Sequence, residues 1–317
     1  MPIGLLPPGE YVARAVISVS GRKVGQVTRP LRITRAAHTI TAPGTSNAVA
    51  RNTASTTSIA FASRIESFDK AAVLTPQVVG FFLDRLSATA ASSAVAVKPA
   101  LASARAGRFD EAMSSLENTG NDQLAAVFLK GLVLLNRGDL NGAATRFREA
   151  LRIDSEFYAA AFYLGACYAA GGKDREAAGA WQTSLITESN APFIYTLLGD
   201  ALLRLRDMDQ AIDILTEARA LWPADDEVGL RLGTAFVMAN KPAEALKVLE
   251  PYLASHPADH DRLLLVLRAL YEARSAGKAL TTTAGDTTLF TRYADAYAAA
   301  KGPQLALVDQ WRKFMQK

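Results

Sequence analysis

Four glycines, Gly131, Gly165, Gly199 and Gly233, stand 34 residues apart. Ala143, Ala177, Ala211 and Ala245 keep the same interval, twelve residues after each glycine, and Phe147, Trp181, Leu215 and Leu249 come four residues later. Leu134, Tyr168, Leu202 and Phe236 follow each glycine by three, and Ser155, Ser189, Pro223 and Pro257 close the period. One such column arises by chance in an alanine-rich chain; five in one register do not. A period of this length marks a supersecondary unit repeated in tandem, which buries its apolar face only against its neighbours.

The unit is helical. A glycine inside a helix costs about 1 kcal/mol relative to alanine, so four at one phase need a compensating gain. Close helix–helix approach supplies it, with Gly and Ala predicted on facing surfaces of two successive helices and the bulky residue filling the space beside them. Asn136-Arg137-Gly138-Asp139-Leu140 reads as the turn between the two helices, and Pro or Ser at the end stops the second helix.

On these columns the chain resembles the tetratricopeptide repeat family, whose helix-turn-helix units stack into a right-handed superhelix. Four units read 124–157, 158–191, 192–225 and 226–259. The aromatic usual near the start of the repeat is kept as Tyr195 and replaced by Val127, Ala161 and Gly229. The expected fold class is mainly α, a right-handed superhelix with an N-terminal β-hairpin arm.

The flanks are less regular. Tyr11–Val19 is β-rich, Ser20-Gly21 signals a turn, and residues 23–34 return as a second strand with Pro30 at an edge or bulge. Residues 1–35 therefore read as a hairpin segment or truncated sandwich, and residues 36–56 as a flexible linker. Residues 57–123 form a helical region with a degenerate repeat at Ala106–Ala112. Within it Thr75-Pro76 opens a helix over 75–88 whose face is Val78, Val79, Phe82, Leu83 and Leu86. Residues 260–317 hold another degenerate repeat and a capping helix, with Leu305, Val308, Trp311 and Met315 on one face.

Composition is that of a globular chain, 50% hydrophobic and 21% charged, and its net charge of +4 is unevenly placed. Residues 1–56 hold seven basic groups against Glu10, while the rest carries 28 basic against 30 acidic groups. No specific nucleic-acid face is expected on the main domain. The longest uncharged stretch, Phe157 to Gly172, falls short of a membrane span. No secretory signal is readable at the N-terminus, so the chain as written reads as cytoplasmic.

No catalytic constellation is legible, and the chain reads as non-enzymatic with no cofactor. His256 and His260 have helical metal-ligand spacing, but His256 precedes Pro257 and no third ligand is near, so no metal site is predicted. Cys167 is expected as a small buried group. Ser67-Phe-Asp-Lys70 matches a serine–lysine pattern whose companion elements are missing. Gly171-Gly172-Lys173 reads as the turn inside a repeat, and Asp225-Asp226-Glu227 as a capped first turn.

What remains is a surface. The family resemblance implies that first helices line a concave groove. Mapped here, the lining is Phe128, Leu132 and Leu135 in the first unit and Phe162 and Ala166 in the second. The third contributes Phe193, Asp200, Leu203 and Arg204, and the fourth Leu230, Thr234 and Met238. The carboxylate clamp of chaperone-binding relatives is absent, since Phe128, Leu129 and Leu132 occupy its places. The expected partner is a protein or peptide with an apolar or amphipathic helix, and assembly into an oligomer is compatible with the pattern. In one alternative the helix at 75–88 fills the groove internally. In another the chain is the C-terminal piece of a larger secreted or periplasmic protein, since Leu6-Pro-Pro-Gly-Glu-Tyr11 followed by repeats looks like the tail of bacterial von Willebrand factor A-like proteins. A third has the basic arm tether the chain to nucleic acid or anionic membrane.

Overall fold

A computed structural model of the chain describes residues 9–19, 22–33, 67–89, 97–116, 123–188, 190–277, 280 and 283–316. The chain divides into two units, Met1–Ser55 and Thr56–Lys317. The predicted linker at 36–56 and the Leu6-Pro7-Pro8 entry lie outside the described residues.

In the first unit β1 (Gly9–Val19) and β2 (Arg22–Ile33) pair antiparallel, from Gly9 opposite Ile33 to Val19 opposite Arg22. The register shifts between Ile17 and Ser18, which face Gly25 and Lys23, so Val24 is the extra residue of a bulge. Pro30 pairs with Val12, away from that bulge. Each strand of a two-stranded ladder keeps an open edge, so a missing N–H does not interrupt the pairing.

The second unit is helical, with no strand among its described residues. A 3-10 turn, Lys70–Val73, precedes α1 (Pro76–Thr89). Then come α2 (Lys98–Arg105), α3 (Phe109–Leu116), α4 (Leu124–Arg137) and α5 (Leu140–Ile153). They are followed by α6 (Tyr158–Ala170), α7 (Asp174–Thr187), α8 (Pro192–Arg204) and α9 (Met208–Leu221). The chain ends in α10 (Asp226–Met238), α11 (Pro242–Ser255), α12 (His260–Ser275), α13 (Thr283–Ala299) and α14 (Leu305–Met315). Each helix packs on the next, and first helices α8 and α10, and α10 and α12, also touch. None is long and apolar enough to cross a membrane.

The turn inside each repeat is built one way. Gly138, Gly172, Arg206 and Asn240, again 34 residues apart, all adopt positive φ, at 86°, 71°, 63° and 55°. The following residue donates its N–H to the carbonyl five residues earlier: Asp139 to Leu134, Lys173 to Tyr168, Asp207 to Leu202 and Lys241 to Phe236, each at 2.9 Å. This is the Schellman closure, which satisfies carbonyls left open at a helix end. Aspartates open several of the helices that follow. Asp139 accepts from the Gly142 N–H at 2.9 Å, Asp225 from Val228 at 3.0 Å and Asp259 from Arg262 at 3.2 Å.

Helix pairs close on the glycines, and the nearest neighbour of each is the bulky residue. A β-carbon on Gly131 would lie 2.7 Å from Phe147, on Gly165 2.6 Å from Trp181, on Gly199 2.8 Å from Leu215, and on Gly233 2.6 Å from Leu249. The bulky residue therefore sits directly over the glycine, and the alanine four positions earlier is buried beside it. A continuous core runs from Val73 to Ala235, and a second cluster joins Leu246 to Met315. In α14 Val308, Trp311 and Met315 are buried, whereas Leu305 is 39% exposed and does not share their face.

Candidate functional site

The predicted groove residues separate into two sets. Phe128, Leu132, Leu135, Phe162 and Ala166 are completely buried. Phe128 is enclosed by the repeats themselves, with ring centroids 5.7 Å from Phe147, 5.1 Å from Phe157 and 5.7 Å from Tyr163. It faces the array's interior rather than an open trough. Phe162 is covered from outside the array, by the chain's own residues 67–89.

That segment is anchored through five residues. Phe68 lies 5.8 Å from the Trp181 ring. The Lys70 ammonium donates to the carbonyls of Leu135 (3.1 Å) and Asn136 (2.8 Å) in the last turn of α4, where a cation meets the negative end of the helix dipole. The Tyr163 hydroxyl donates to the Val73 carbonyl at 3.1 Å, and burial pushes this phenol's pKa upward, keeping it a donor. Phe82 is the hub: its ring lies 4.5 Å from Phe162, 5.3 Å from Tyr163, and 5.8 Å from both Tyr158 and Phe193. Phe81 meets Phe193 edge to face at 5.4 Å and 90°. The helix α1 that delivers Phe82 starts where the Thr75-Pro76 signal places it and buries Val79, Phe82, Leu83 and Leu86, with Val78 half-buried.

The second set is polar and partly open. Leu203 is buried, while Asp200, Arg204, Leu230, Thr234 and Met238 keep some exposure. Ion pairs cross from repeat to repeat here. Arg204 pairs with Asp174 at 2.7 Å and Asp200 with Arg231 at 3.0 Å, while Arg231 also holds Glu227 of its own helix at 2.8 Å. Arg262 bonds Asp259 at 2.6 Å and lies 3.8 Å from Glu227. Burial pushes the Asp200 carboxyl above the usual aspartate range, and the neighbouring Arg231 opposes this without cancelling it. The sequence reading missed Arg231 and Arg262 because their partners lie 31 and three residues away, outside the 34-residue register.

Beside this ladder a small cleft is lined by Arg219, Gly229, Leu230, Tyr252 and Arg262. The Arg262 guanidinium stands 4.5 Å over the Tyr252 ring, and His256 stacks on the same ring at 4.1 Å.

The remaining candidates occupy structural places. His256 contacts Ser255 and Tyr252, and His260 lies 3.5 Å from Asp261. Among the described residues, no three His, Cys, Asp or Glu side chains are grouped to hold a metal ion. Cys167 is buried and its thiol is pushed up to about 12 by that burial, far from a reactive thiolate. Lys70 of the serine–lysine pattern is spent on the α4 carbonyls. Gly172 is the left-handed turn of its repeat, and Asp225 caps α10.

Two tetratricopeptide repeat family models match, over residues 128–193 and 202–270. The chain is 24% identical over 125 residues to the tetratricopeptide repeat protein 21 homolog of Caenorhabditis briggsae, which covers 39% of this chain and 9% of that relative. It thus spans under a tenth of the relative's length. The crystal structure of YrrB, titled a TPR protein with an unusual peptide-binding site, superposes with a TM-score of 0.52 at 18% identity, covering 65% of this chain and 97% of that one. A tetratricopeptide repeat protein from Parabacteroides merdae gives a TM-score of 0.48 at 14% identity, with coverages of 71% and 99%. At such identities the likeness to YrrB concerns the fold alone.

Proposed function

Since the chain belongs to the tetratricopeptide repeat family, we propose that it is a non-enzymatic protein–protein interaction scaffold. Residues 124–259 form its four repeat units, in the right-handed course the family resemblance implies, and 57–123 and 260–317 flank them. Its first helices take an apolar or amphipathic helix from a partner protein. The observation that carries this reading is Phe82 seated between Phe162 and Phe193. An amphipathic helix already lies on the first helices of two successive repeats, which supports such a helix as the kind of object this surface accepts. The partly exposed stretch around Asp200, Leu230 and Thr234 extends that surface toward the C-terminus.

The test is site-specific photo-cross-linking in the full chain, in the organism that encodes it. A cross-linker at Thr234, on first helix α10, should yield discrete protein adducts. One at Lys247, exposed on second helix α11, should not. Equal yields at both positions, or none at Thr234, would overturn the reading.

A further inference from the structure

We propose that residues 67–89 are a detachable resident ligand of the groove, and that the partner is a segment of the same pattern that competes for the same seat. The pattern is an aromatic residue, a lysine two positions later, and an amphipathic helix presenting a Phe-Phe-Leu core, as Phe68, Lys70 and Phe81-Phe82-Leu83 do here. This rests on the scaffold reading and names what the groove takes.

Three observations carry it. First, the anchors fall on three different repeats. Lys70 bonds the end of α4 in the first unit, Phe68 and Phe82 reach Trp181 and Phe162 in the second, and Phe81 reaches Phe193 in the third. The anchors of one short segment thus spread over three successive units, as those of a peptide laid across the array would. Second, the contacts that define the repeats, each glycine under its bulky residue, are complete without it. Third, its anchors combine aromatic rings, a charge on a helix terminus and one carbonyl accepting from Tyr163. These are recognition contacts that a second peptide of the same pattern can reproduce.

A tethered ligand acts at an effective concentration on the order of millimolar, so an outside competitor binds correspondingly more weakly until the tether is cut. The occupied seat thereby selects for partners that match all the anchors rather than one.

The experiment uses the full chain with a protease recognition sequence placed within residues 90–96 and a fluorescent synthetic peptide of residues 66–90 as probe. Anisotropy should show little binding before cleavage. Afterwards it should show saturable uptake with apparent affinity improved by about 10- to 100-fold. A probe carrying Phe82→Asp should lose that uptake, and one carrying Lys70→Ala should weaken it. In the uncut full chain Phe82→Asp should admit the unaltered probe. A cut chain that keeps its helical circular dichroism but never exchanges the segment, or that loses its fold on cutting, overturns the proposal: the segment is then a fixed part of the core. In that case adducts at Thr234 would leave the scaffold reading standing. Exchange without any adduct at Thr234 would instead remove the scaffold reading and leave the detachable segment.

Discussion

The indole nitrogen of Trp181 occupies the space a β-carbon on Gly165 would need, 2.6 Å away, and donates a buried hydrogen bond of 3.1 Å to the Phe162 carbonyl. The glycine and the ring are therefore one device, in which a missing side chain on one helix admits an aromatic side chain from the next. The hydrogen bond holds the indole in place, so it cannot yield as a leucine would.

Gly165→Ala should consequently destabilise the chain by about 1–3 kcal/mol, even after the helix-propensity gain of alanine. Gly199→Ala should cost less, because Leu215 can rotate away. Gly179→Ala, on α7 with nothing within 4 Å of the added carbon, should instead stabilise by up to about 1 kcal/mol. Urea denaturation of the three variants checks the order.

Arg206 holds φ at 63°, a left-handed conformation that its β-carbon disfavours, at the turn position where two other repeats carry glycine. Arg206→Gly should raise stability by about 0.5–1 kcal/mol, and Gly172→Ala should lower it by about as much. Thermal unfolding read by circular dichroism distinguishes the two signs.

Removing Phe82 from its cluster should cost about 3–5 kcal/mol as Phe82→Ala. A chain beginning near residue 96 should expose Phe162 and Phe193 and bind an apolar-surface dye that the full chain does not bind. Absence of dye binding, with helicity retained, would mean that other residues cover these rings.

Asp259 should govern part of the acid limb of stability. Burial opposes its ionisation, yet the Arg262 N–H and guanidinium and the Tyr252 hydroxyl together hold its pKa below the usual aspartate value. A carboxyl lowered in the folded state contributes stability that is full above its unfolded pKa and is lost as pH falls through the folded one. Asp259→Asn keeps a capping oxygen but sets an amide nitrogen against two donors, and should cost about 1–3 kcal/mol near neutral pH. That deficit should shrink below the ordinary aspartate range, as denaturation midpoints across pH would show.

The repeat was legible because its physics is periodic: the glycine and bulky columns both recur at 34 residues and both proved to be halves of one contact. The turn column was only half legible. Gly138 and Gly172 announce a left-handed residue, but Arg206 and Asn240 take the same conformation without a compositional signal, because the Schellman bonds impose it. The helix on which each candidate residue sits was legible, and its covering was not. Spacing places Phe162 and Phe193 on first helices, but whether such residues face solvent depends on where α1 docks, a contact some 80 residues away in sequence that no local pattern records. Phe128 was assigned outward by repeat position, although Phe147, Phe157 and Tyr163 draw it inward. The bonds that link units in the ion-pair ladder escaped because they join positions that differ from unit to unit.

Every pairing of a glycine with its large neighbour closes over sixteen residues, inside a single unit. Each module thus closes one contact by itself and buries the rest of its apolar face against the modules beside it. Whole modules can then be duplicated or lost without rupturing those that remain. Length along the array becomes something heredity can adjust in steps of one unit, while the three units gripped by residues 67–89 form the part that cannot be cut without changing what is held.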